Sequence, residues 1–293
     1  MNFRDLEYVI ETAKTLSFSK AALNCNVSQP SLSSQIKKLE EELGVVIFHR
    51  SKRSVALTSY GEVFIEKAHK ILSIKEQVEN LAQDHKDPVQ GTLRLGGIMT
   101  IAPYMFPQIV NAIEAHAPKI KLKLSEGKTE TLLKDLLANR IDAALISLPT
   151  DQNVFETRSL FVEPFYLAVP NSHELSGRKE VDDSDLHSKE LILLGEGHCF
   201  RTQALDVCHS ASAKENQVFS GASLETVRQF LMRGDGMTLI PAMARQNNDG
   251  IAYIPMKNKK YAREVGLVWR RSCNKKLQIE KMISMIEFTR STA

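Results

Sequence analysis

Apolar residues recur at helical spacing along the first 45 positions of the chain. Residues 3–14 predict an amphipathic helix, because apolar side chains return there every three or four positions. Ser17 suits the N-cap of a second helix. The Ser-Gln-Pro tripeptide at 28–30 opens a third helix, since proline is tolerated in a first turn, and Gly44 ends it. The pattern therefore predicts a small helical domain at the N-terminus.

The third predicted helix has a polar face opposite its apolar stripe. That face carries small polar residues and lysines, namely Pro30, Ser31, Ser34, Lys37 and Lys38. Such a face on a second helix suits insertion into the major groove of DNA. Residues 1–60 hold eight Lys and Arg against six Asp and Glu, a net charge of only +2. The alternative of a helical domain with solvated charges therefore stays open.

The segment 45–58 predicts a short hairpin directly after the third helix. Two apolar runs flank a turn that carries Arg50, Lys52 and Arg53. Clustered cations in such a turn can contact phosphates beside the groove that a helix occupies. The placement of the charges, rather than their number, therefore favours DNA binding.

A long helix is predicted from Thr58 to about His85. Apolar residues recur there every three or four positions and form a seam that could pack on a partner helix. The alternative is that the seam packs on its own domain, but the short domain before it offers little surface. Asp87-Pro88 and Gly91 then predict a hinge. The expected organisation is a DNA-binding domain at 1–60, a dimerisation helix at 61–88 and an effector domain at 89–293.

Residues 91–293 alternate predicted strands with predicted helices, which indicates an α/β domain with mostly parallel sheets. Strands are predicted at 92–99, 119–127, 141–149, 165–170, 190–197, 237–242, 251–256 and 265–271. Helices are predicted at 101–115, 130–139, 199–208, 223–232 and 275–289. In such folds ligands bind at the carboxyl ends of strands, beside helix N-termini. Thr100, Thr129 and the Gly197-His198-Cys199 turn lie at such places, although each threonine could also be a plain N-cap.

The composition is that of a globular protein. Apolar residues make up 43% of the 293 residues and charged residues 25%, with a formal net charge of +3. No apolar run approaches the roughly 20 residues of a membrane span, and the N-terminus lacks the apolar core of a signal peptide. We therefore expect a cytoplasmic protein without a membrane partner. Four cysteines in that compartment are not a disulfide framework, and without CxxC spacing they predict neither a metal site nor a cofactor.

Cys199 and Cys208 have the most informative spacing in the chain. On one helix, their nine-residue separation corresponds to about 13 Å along the axis, whereas a disulfide needs Cα atoms within about 7 Å. The pair could therefore bond only after the segment unfolds, as in a redox switch. His198 and Arg201 lie beside Cys199, and both a cation and a helix N-terminus stabilise a thiolate, which peroxide converts to a sulfenic acid. The alternative is that Cys199 is an inert buried thiol.

The segment 17–61, SFSKAALNCNVSQPSLSSQIKKLEEELGVVIFHRSKRSVALTSYG, resembles the winged helix-turn-helix of LysR-type transcriptional regulators without a gap. The resemblance implies that Ser28, Gln29 and the polar face up to Lys38 form the recognition element, and that the turn 50–53 is the wing. It also implies a dimer that binds a palindromic DNA site. For the effector domain it implies two lobes of the periplasmic-binding-protein type, lobe I at about 89–161 and 266–293 and lobe II at about 162–265.

Two further segments, GEGHCFRTQALDVC at 195–208 and GASLETVRQFLMRGDGMTLIPA at 221–242, are similar to the peroxide-sensing members of that family. This similarity implies that hydrogen peroxide oxidises Cys199 and that Cys208 resolves the product as a disulfide. It implies a peroxide pocket formed by Thr100, Thr129, His198 and Arg201. The implied output is a remodelled homodimer or homotetramer, which changes its contact with RNA polymerase and switches antioxidant genes.

Two other functions are compatible with the same residues. A LysR-type regulator that binds a metabolite between its lobes would show a thermal shift with a small acid or amine, and none with peroxide. A thiol peroxidase fused to a DNA-binding domain would turn over excess peroxide with a reductant. A sensor that is not an enzyme would instead react once per subunit and need an external thiol to reset.

Overall fold

The structure is a computed structural model that describes residues 1–50, 55–84, 90–150, 153–221 and 223–291. The chain divides into two compact units, Met1–Pro88 with Leu137–Arg140 and Val89–Leu136 with Ile141–Ala293. In the described part of the chain, no helix is both long and apolar enough to cross a membrane.

The N-terminal unit contains helices and a small hairpin in the predicted order. Its elements are α1 (Phe3–Thr15), α2 (Phe18–Asn24), α3 (Gln29–Leu43), β1 (Phe48–Arg50), β2 (Val55–Leu57) and α4 (Ser59–Asp84). Ser17 and Ser28 cap α2 and α3 through their side chains, and Gly44 ends α3 in the left-handed region at φ +66°. The predicted starts of both helices and the end of α3 are therefore confirmed.

Glu40 joins α3 to the hairpin. The sequence does not indicate this role, because Glu40 is one of three consecutive glutamates. Its buried carboxylate accepts hydrogen bonds from the backbone N–H groups of Ile47 at 2.8 Å and Phe48 at 3.1 Å. Arg50 donates to the other carboxylate oxygen at 2.6 Å. Arg50 is the last residue of β1, so its predicted position in the turn is wrong. The reason is the buried carboxylate, which holds the guanidinium against α3.

Replacing Glu40 with alanine is expected to destabilise the N-terminal unit by about 2–4 kcal/mol, because two buried N–H groups and the Arg50 guanidinium would lose their acceptor. Hydrogen exchange of the α3 and β1 amides in the full-length protein measures this local free energy of unfolding. Glu40→Gln is the matched control, because it keeps an acceptor oxygen for both N–H groups and should cost about half as much. Equal exchange in the wild type and Glu40→Ala would contradict this role for Glu40.

The C-terminal unit is an α/β domain. Its strands are β3 (Gly91–Ile98), β4 (Ile120–Gly127), β5 (Ala143–Leu148), β6 (Phe155–Pro170), β7 (Glu190–Leu194), β8 (Lys214–Gly221), β9 (Thr238–Pro241), β10 (Ile251–Pro255) and β11 (Ala262–Arg270). Its helices are α5 (Ala102–His116), α6 (Thr129–Leu137), α7 (Asp183–Leu186), α8 (Cys199–Ser210), α9 (Leu224–Met232) and α10 (Lys276–Ser291), with a short 3-10 helix at Ala242–Ala244.

One large sheet has the strand order β10-β6-β11-β5-β3-β4, with β9 beside β6. β3 is parallel to β4 and β5, but β11 is antiparallel to β5 and β6, and β6 is antiparallel to β9 and β10. A separate pair, β7 and β8, is parallel. The prediction of mostly parallel sheets is therefore wrong. The cause lies in two long neighbouring strands. β6 carries the chain out of one half of the domain and β11 brings it back, so the two strands run antiparallel.

Two hydrophobic cores are joined by β6, which contributes residues to both. The first core contains Phe155 of β6 and Val265 of β11, and the second contains Phe165 of β6 and Tyr261 just before β11. We call the halves around these cores lobe I and lobe II. This two-lobed α/β architecture confirms the predicted fold class.

Candidate redox site and nucleic-acid interface

Cys199 is the first residue of α8, after the loop that follows β7. Its side chain is half-buried and packs against the core of lobe I, although α8 packs its own buried face into lobe II. The thiol lines a cleft of about 530 Å³ between the lobes. Lys128 and Thr129 line this cleft from lobe I, and His198 and Arg201 line it from lobe II.

Two buried side-chain oxygens around the start of α8 have no hydrogen-bond partner among the described residues. One is the hydroxyl oxygen of Thr129, and the other is the amide oxygen of Gln203. The amide nitrogen of Gln203 donates to Ser147 Oγ at 2.8 Å, so this side chain joins α8 to β5 of lobe I. Gln203 lies four residues after Cys199 and thus on the same face of α8, a spacing that could have identified it. Both oxygens can bond a small polar molecule.

Thr100 is hydrogen-bonded to a buried arginine. It is buried and does not line the cleft, and Ile101 rather than Thr100 precedes α5. Arg263 donates to the Thr100 hydroxyl at 2.7 Å and to its carbonyl at 2.9 Å. The Arg263 guanidinium also lies 5.7 Å from the ring centroid of Phe200, the residue after Cys199. Arg263 therefore links Thr100 to the first turn of α8.

His198 and Arg201 both line the cleft around the Cys199 thiol. Burial lowers the pKa of His198, and the positive charge of Lys128 lowers it further, which favours the uncharged imidazole. The Arg201 guanidinium forms two hydrogen bonds with the Glu215 carboxylate, one of them at 2.8 Å. The charge of Arg201 is therefore shared with Glu215, so Arg201 is not a free cation beside the thiol. The ammonium of Lys128 and the N-terminus of α8 are positive groups at the cleft.

Cys208 lies near the end of α8, inside the core of lobe II, with 2% of its surface exposed. Burial raises the pKa of Cys208 to about 11, with a further contribution from the charge of Glu215, so this thiol is protonated at neutral pH. The helix is continuous from Cys199 to Ser210. Nine residues of helix place the two cysteines about 13 Å apart along the axis. The prediction that the segment is helical is confirmed, and a disulfide would require α8 to unwind.

The buried face of α8 opposes that unwinding. Phe200, Ala204 and Val207 are buried together with Cys208, and the Phe200 ring meets the Phe165 ring edge-on at 5.1 Å. Exposing one large apolar side chain costs roughly 1.5–3 kcal/mol. The helical form of α8 is therefore the stable one until a new bond compensates for the lost packing.

The polar face of α3 is exposed. Its members are Ser28, Gln29, Pro30, Ser31, Ser34, Lys37 and Lys38. Lys37 lies 3.6 Å from Glu41, an exposed contact that a phosphate could replace at little cost. Lys52 and Arg53 of the predicted wing lie outside the described residues. The exposed face has the shape and polarity of a recognition helix.

The helix α4 has exposed apolar side chains where the sequence predicts a seam for a partner helix. Val63, Ile74 and Val78 are each more than half exposed. Ile71, Ile74 and Val78 form an apolar groove with Phe3 of α1. Such a seam is typical of helices that pair with a second helix.

The chain matches two family descriptions: a bacterial regulatory helix-turn-helix protein of the lysR family over residues 3–62, and the LysR substrate binding domain over residues 86–288. The hydrogen peroxide-inducible genes activator of Pectobacterium carotovorum subsp. carotovorum is 37% identical over 273 residues, which cover 92% of this chain and 90% of the relative. The DNA-binding transcriptional dual regulator OxyR of Escherichia coli (strain K12) is 35% identical over 289 residues, 98% of this chain and 95% of the relative. A solved full-length OxyR variant from Pseudomonas aeruginosa, 35% identical, covers 98% of this chain and 94% of its own with a TM-score of 0.78.

Proposed function

The chain belongs to the lysR family of bacterial regulatory helix-turn-helix proteins and is a redox-sensing transcription regulator, and we propose that hydrogen peroxide switches it through Cys199 and Cys208. One observation carries this proposal. Cys199 lines an open cleft, while Cys208 is buried in the same continuous helix. A bond between them requires α8 to be rebuilt, so the chemistry and the conformational change are one event. Relatives named hydrogen peroxide-inducible genes activators support the choice of oxidant.

In the first step the Cys199 thiolate attacks one oxygen of hydrogen peroxide. The sulfur–oxygen bond forms, the oxygen–oxygen bond breaks, and the departing hydroxide takes up a proton and leaves as water. The sulfur loses two electrons and becomes a sulfenic acid. Thr129 and Gln203 present the buried oxygens that would orient the peroxide by hydrogen bonds.

In the second step Cys208 attacks the sulfur of the sulfenic acid. The disulfide forms, the sulfur–oxygen bond breaks, and the hydroxyl group leaves as water with the proton of the thiol. In the helical form this attack is blocked by distance and by the raised pKa of Cys208. Unwinding of α8 moves the thiol out of the core and away from Glu215, so its pKa falls towards the ordinary value. The segment 199–210 is the bistable element.

The rebuilt segment would change how two effector domains associate. We propose a homodimer paired through α4 and assembled further into a tetramer, in which this repacking alters the spacing of the recognition helices on a palindromic promoter. The same change would alter contact with RNA polymerase and switch antioxidant genes. Each subunit reacts once and is reset by an external thiol, so the proposed protein is a cytoplasmic sensor and not an enzyme.

Selection of binding sites from random DNA tests this function without a known promoter. Reduced and peroxide-treated protein should both enrich palindromic sequences, and the two pools should differ in the spacing or number of half-sites. Identical pools from both redox states would contradict the redox switch. A thermal shift with a small acid, together with identical pools, would favour a metabolite-binding regulator instead.

A further inference from the structure

Lys128 connects the two lobes beside Cys199. It precedes α6 in lobe I, and its ammonium donates a hydrogen bond of 2.8 Å to the carbonyl of Glu196 in the β7–α8 loop of lobe II. Glu196, Gly197 and His198 form the last part of that loop before α8 begins at Cys199. Lys128 therefore touches the backbone that leads directly into the first turn of α8.

The Lys128 side chain packs directly against Gly197. Its φ of +83° lies in the left-handed region, which favours glycine. A Cβ at this position would come within 2.8 Å of Lys128 Nζ and 2.9 Å of its Cδ. The lysine side chain thus lies flat on the bare backbone of the loop, and its ammonium is held at the Glu196 carbonyl.

We propose that Lys128 is a positioning residue, a latch between the lobes that fixes the backbone of residues 196–198 in the reduced protein and thereby raises the reduction potential of the Cys199–Cys208 pair. This inference rests on the proposed function. The contact requires the loop geometry of the helical form. When α8 unwinds, the carbonyl of Glu196 moves with the loop and the bond is lost. Lys128 therefore stabilises the reduced form relative to the disulfide form.

The first test compares Lys128→Met with the matched control Lys128→Arg in the full-length protein. Methionine keeps the apolar stem on Gly197 but removes the hydrogen-bond donor, whereas arginine keeps the donor and the charge. Each protein is equilibrated with a mixture of reduced and oxidised glutathione. In this exchange two molecules of reduced glutathione convert the protein disulfide to the dithiol and form one glutathione disulfide. Lys128→Met should shift this equilibrium about threefold towards the protein disulfide, the size expected for one exposed hydrogen bond. Lys128→Arg should stay near the wild-type value. A potential of Lys128→Met equal to that of the wild type overturns the proposal.

The second test does not depend on oxidation. Hydrogen exchange of the amides at 196–201 in the reduced full-length proteins should be about threefold faster in Lys128→Met than in the wild type, with Lys128→Arg close to the wild type. Unchanged exchange overturns the latch even if the redox switch exists. A wild-type protein that forms no disulfide refutes the proposed function, and with it the claim about the potential, while this exchange measurement still decides whether Lys128 holds the loop.

Discussion

Replacing Cys208 with serine is expected to abolish the peroxide-induced disulfide and to leave Cys199 oxidised only as far as the sulfenic acid. The helical form of α8 does not depend on the sulfur of Cys208, whose side chain is only one of several buried members of the lobe II core. Serine is similar in size to cysteine, so the helix should persist while the resolving step is lost. The peroxide-dependent change in DNA binding should then fall at least about tenfold, because nothing holds α8 in its unwound form.

A second buried thiol controls for the general effect of replacing cysteine with serine. Cys273→Ser is the matched control, since Cys273 is also a buried thiol but lies in the core of lobe I. It should keep the full response, measured by footprinting on the DNA that the wild-type protein selects. A complete peroxide response in Cys208→Ser would show that the disulfide is not the switch.

Replacing Asp142 with asparagine is expected to destabilise lobe I by about 3–5 kcal/mol, because it removes the carboxylate that compensates two buried or half-buried cations. Asp142 is 1% exposed, and it accepts hydrogen bonds from the backbone N–H of Arg94 at 2.8 Å and from Arg94 Nη2 at 2.9 Å. Lys275 Nζ lies 3.2 Å away. Trp269, the single tryptophan of the sequence, lies in the same core, so its fluorescence during urea unfolding reports on lobe I. Glu126→Gln, which removes an exposed carboxylate on β4, should change little.

The same carboxylate predicts an acid-sensitive lobe. Burial alone would raise the pKa of Asp142, but the hydrogen bonds and charge of Arg94 and the charge of Lys275 outweigh it and hold this pKa below its usual value. A group with a lowered folded-state pKa stabilises the fold above its unfolded pKa of about 4, and this contribution is lost as the pH falls below that value. The wild type should therefore lose stability between about pH 5 and pH 2 more steeply than Asp142→Asn. Parallel pH profiles for the two proteins would contradict this assignment.

The sequence is most informative where a local signal has one physical meaning. Caps at Ser17 and Ser28 and the glycine at 44 place the helices of the N-terminal unit correctly, because each satisfies backbone groups at a helix end. The spacing of Cys199 and Cys208 likewise gives their relative position, since both lie on one helix.

Tertiary contacts decide the features that the sequence pattern misplaced. Nothing near Thr100 in the chain indicates that Arg263, 163 residues away, takes up its hydroxyl. Most of the first half of β6 is exposed or half-buried, and residues 156–159 are polar, so it lacks the apolar run that marked residues 165–170 as a strand. The sequence places Arg201 near the thiol, but it does not show that Glu215 of β8 pairs with this guanidinium.

Peptide mass spectrometry of the reduced protein, treated with one equivalent of hydrogen peroxide, tests the redox switch most directly. We expect the loss of two hydrogens, mapped to a linked peptide that contains Cys199 and Cys208, with Cys25 and Cys273 unchanged. A stable single oxygen on Cys199 would keep a peroxide sensor but remove the disulfide step. Unmodified Cys199 would contradict the redox switch and leave a regulator that responds to something other than peroxide.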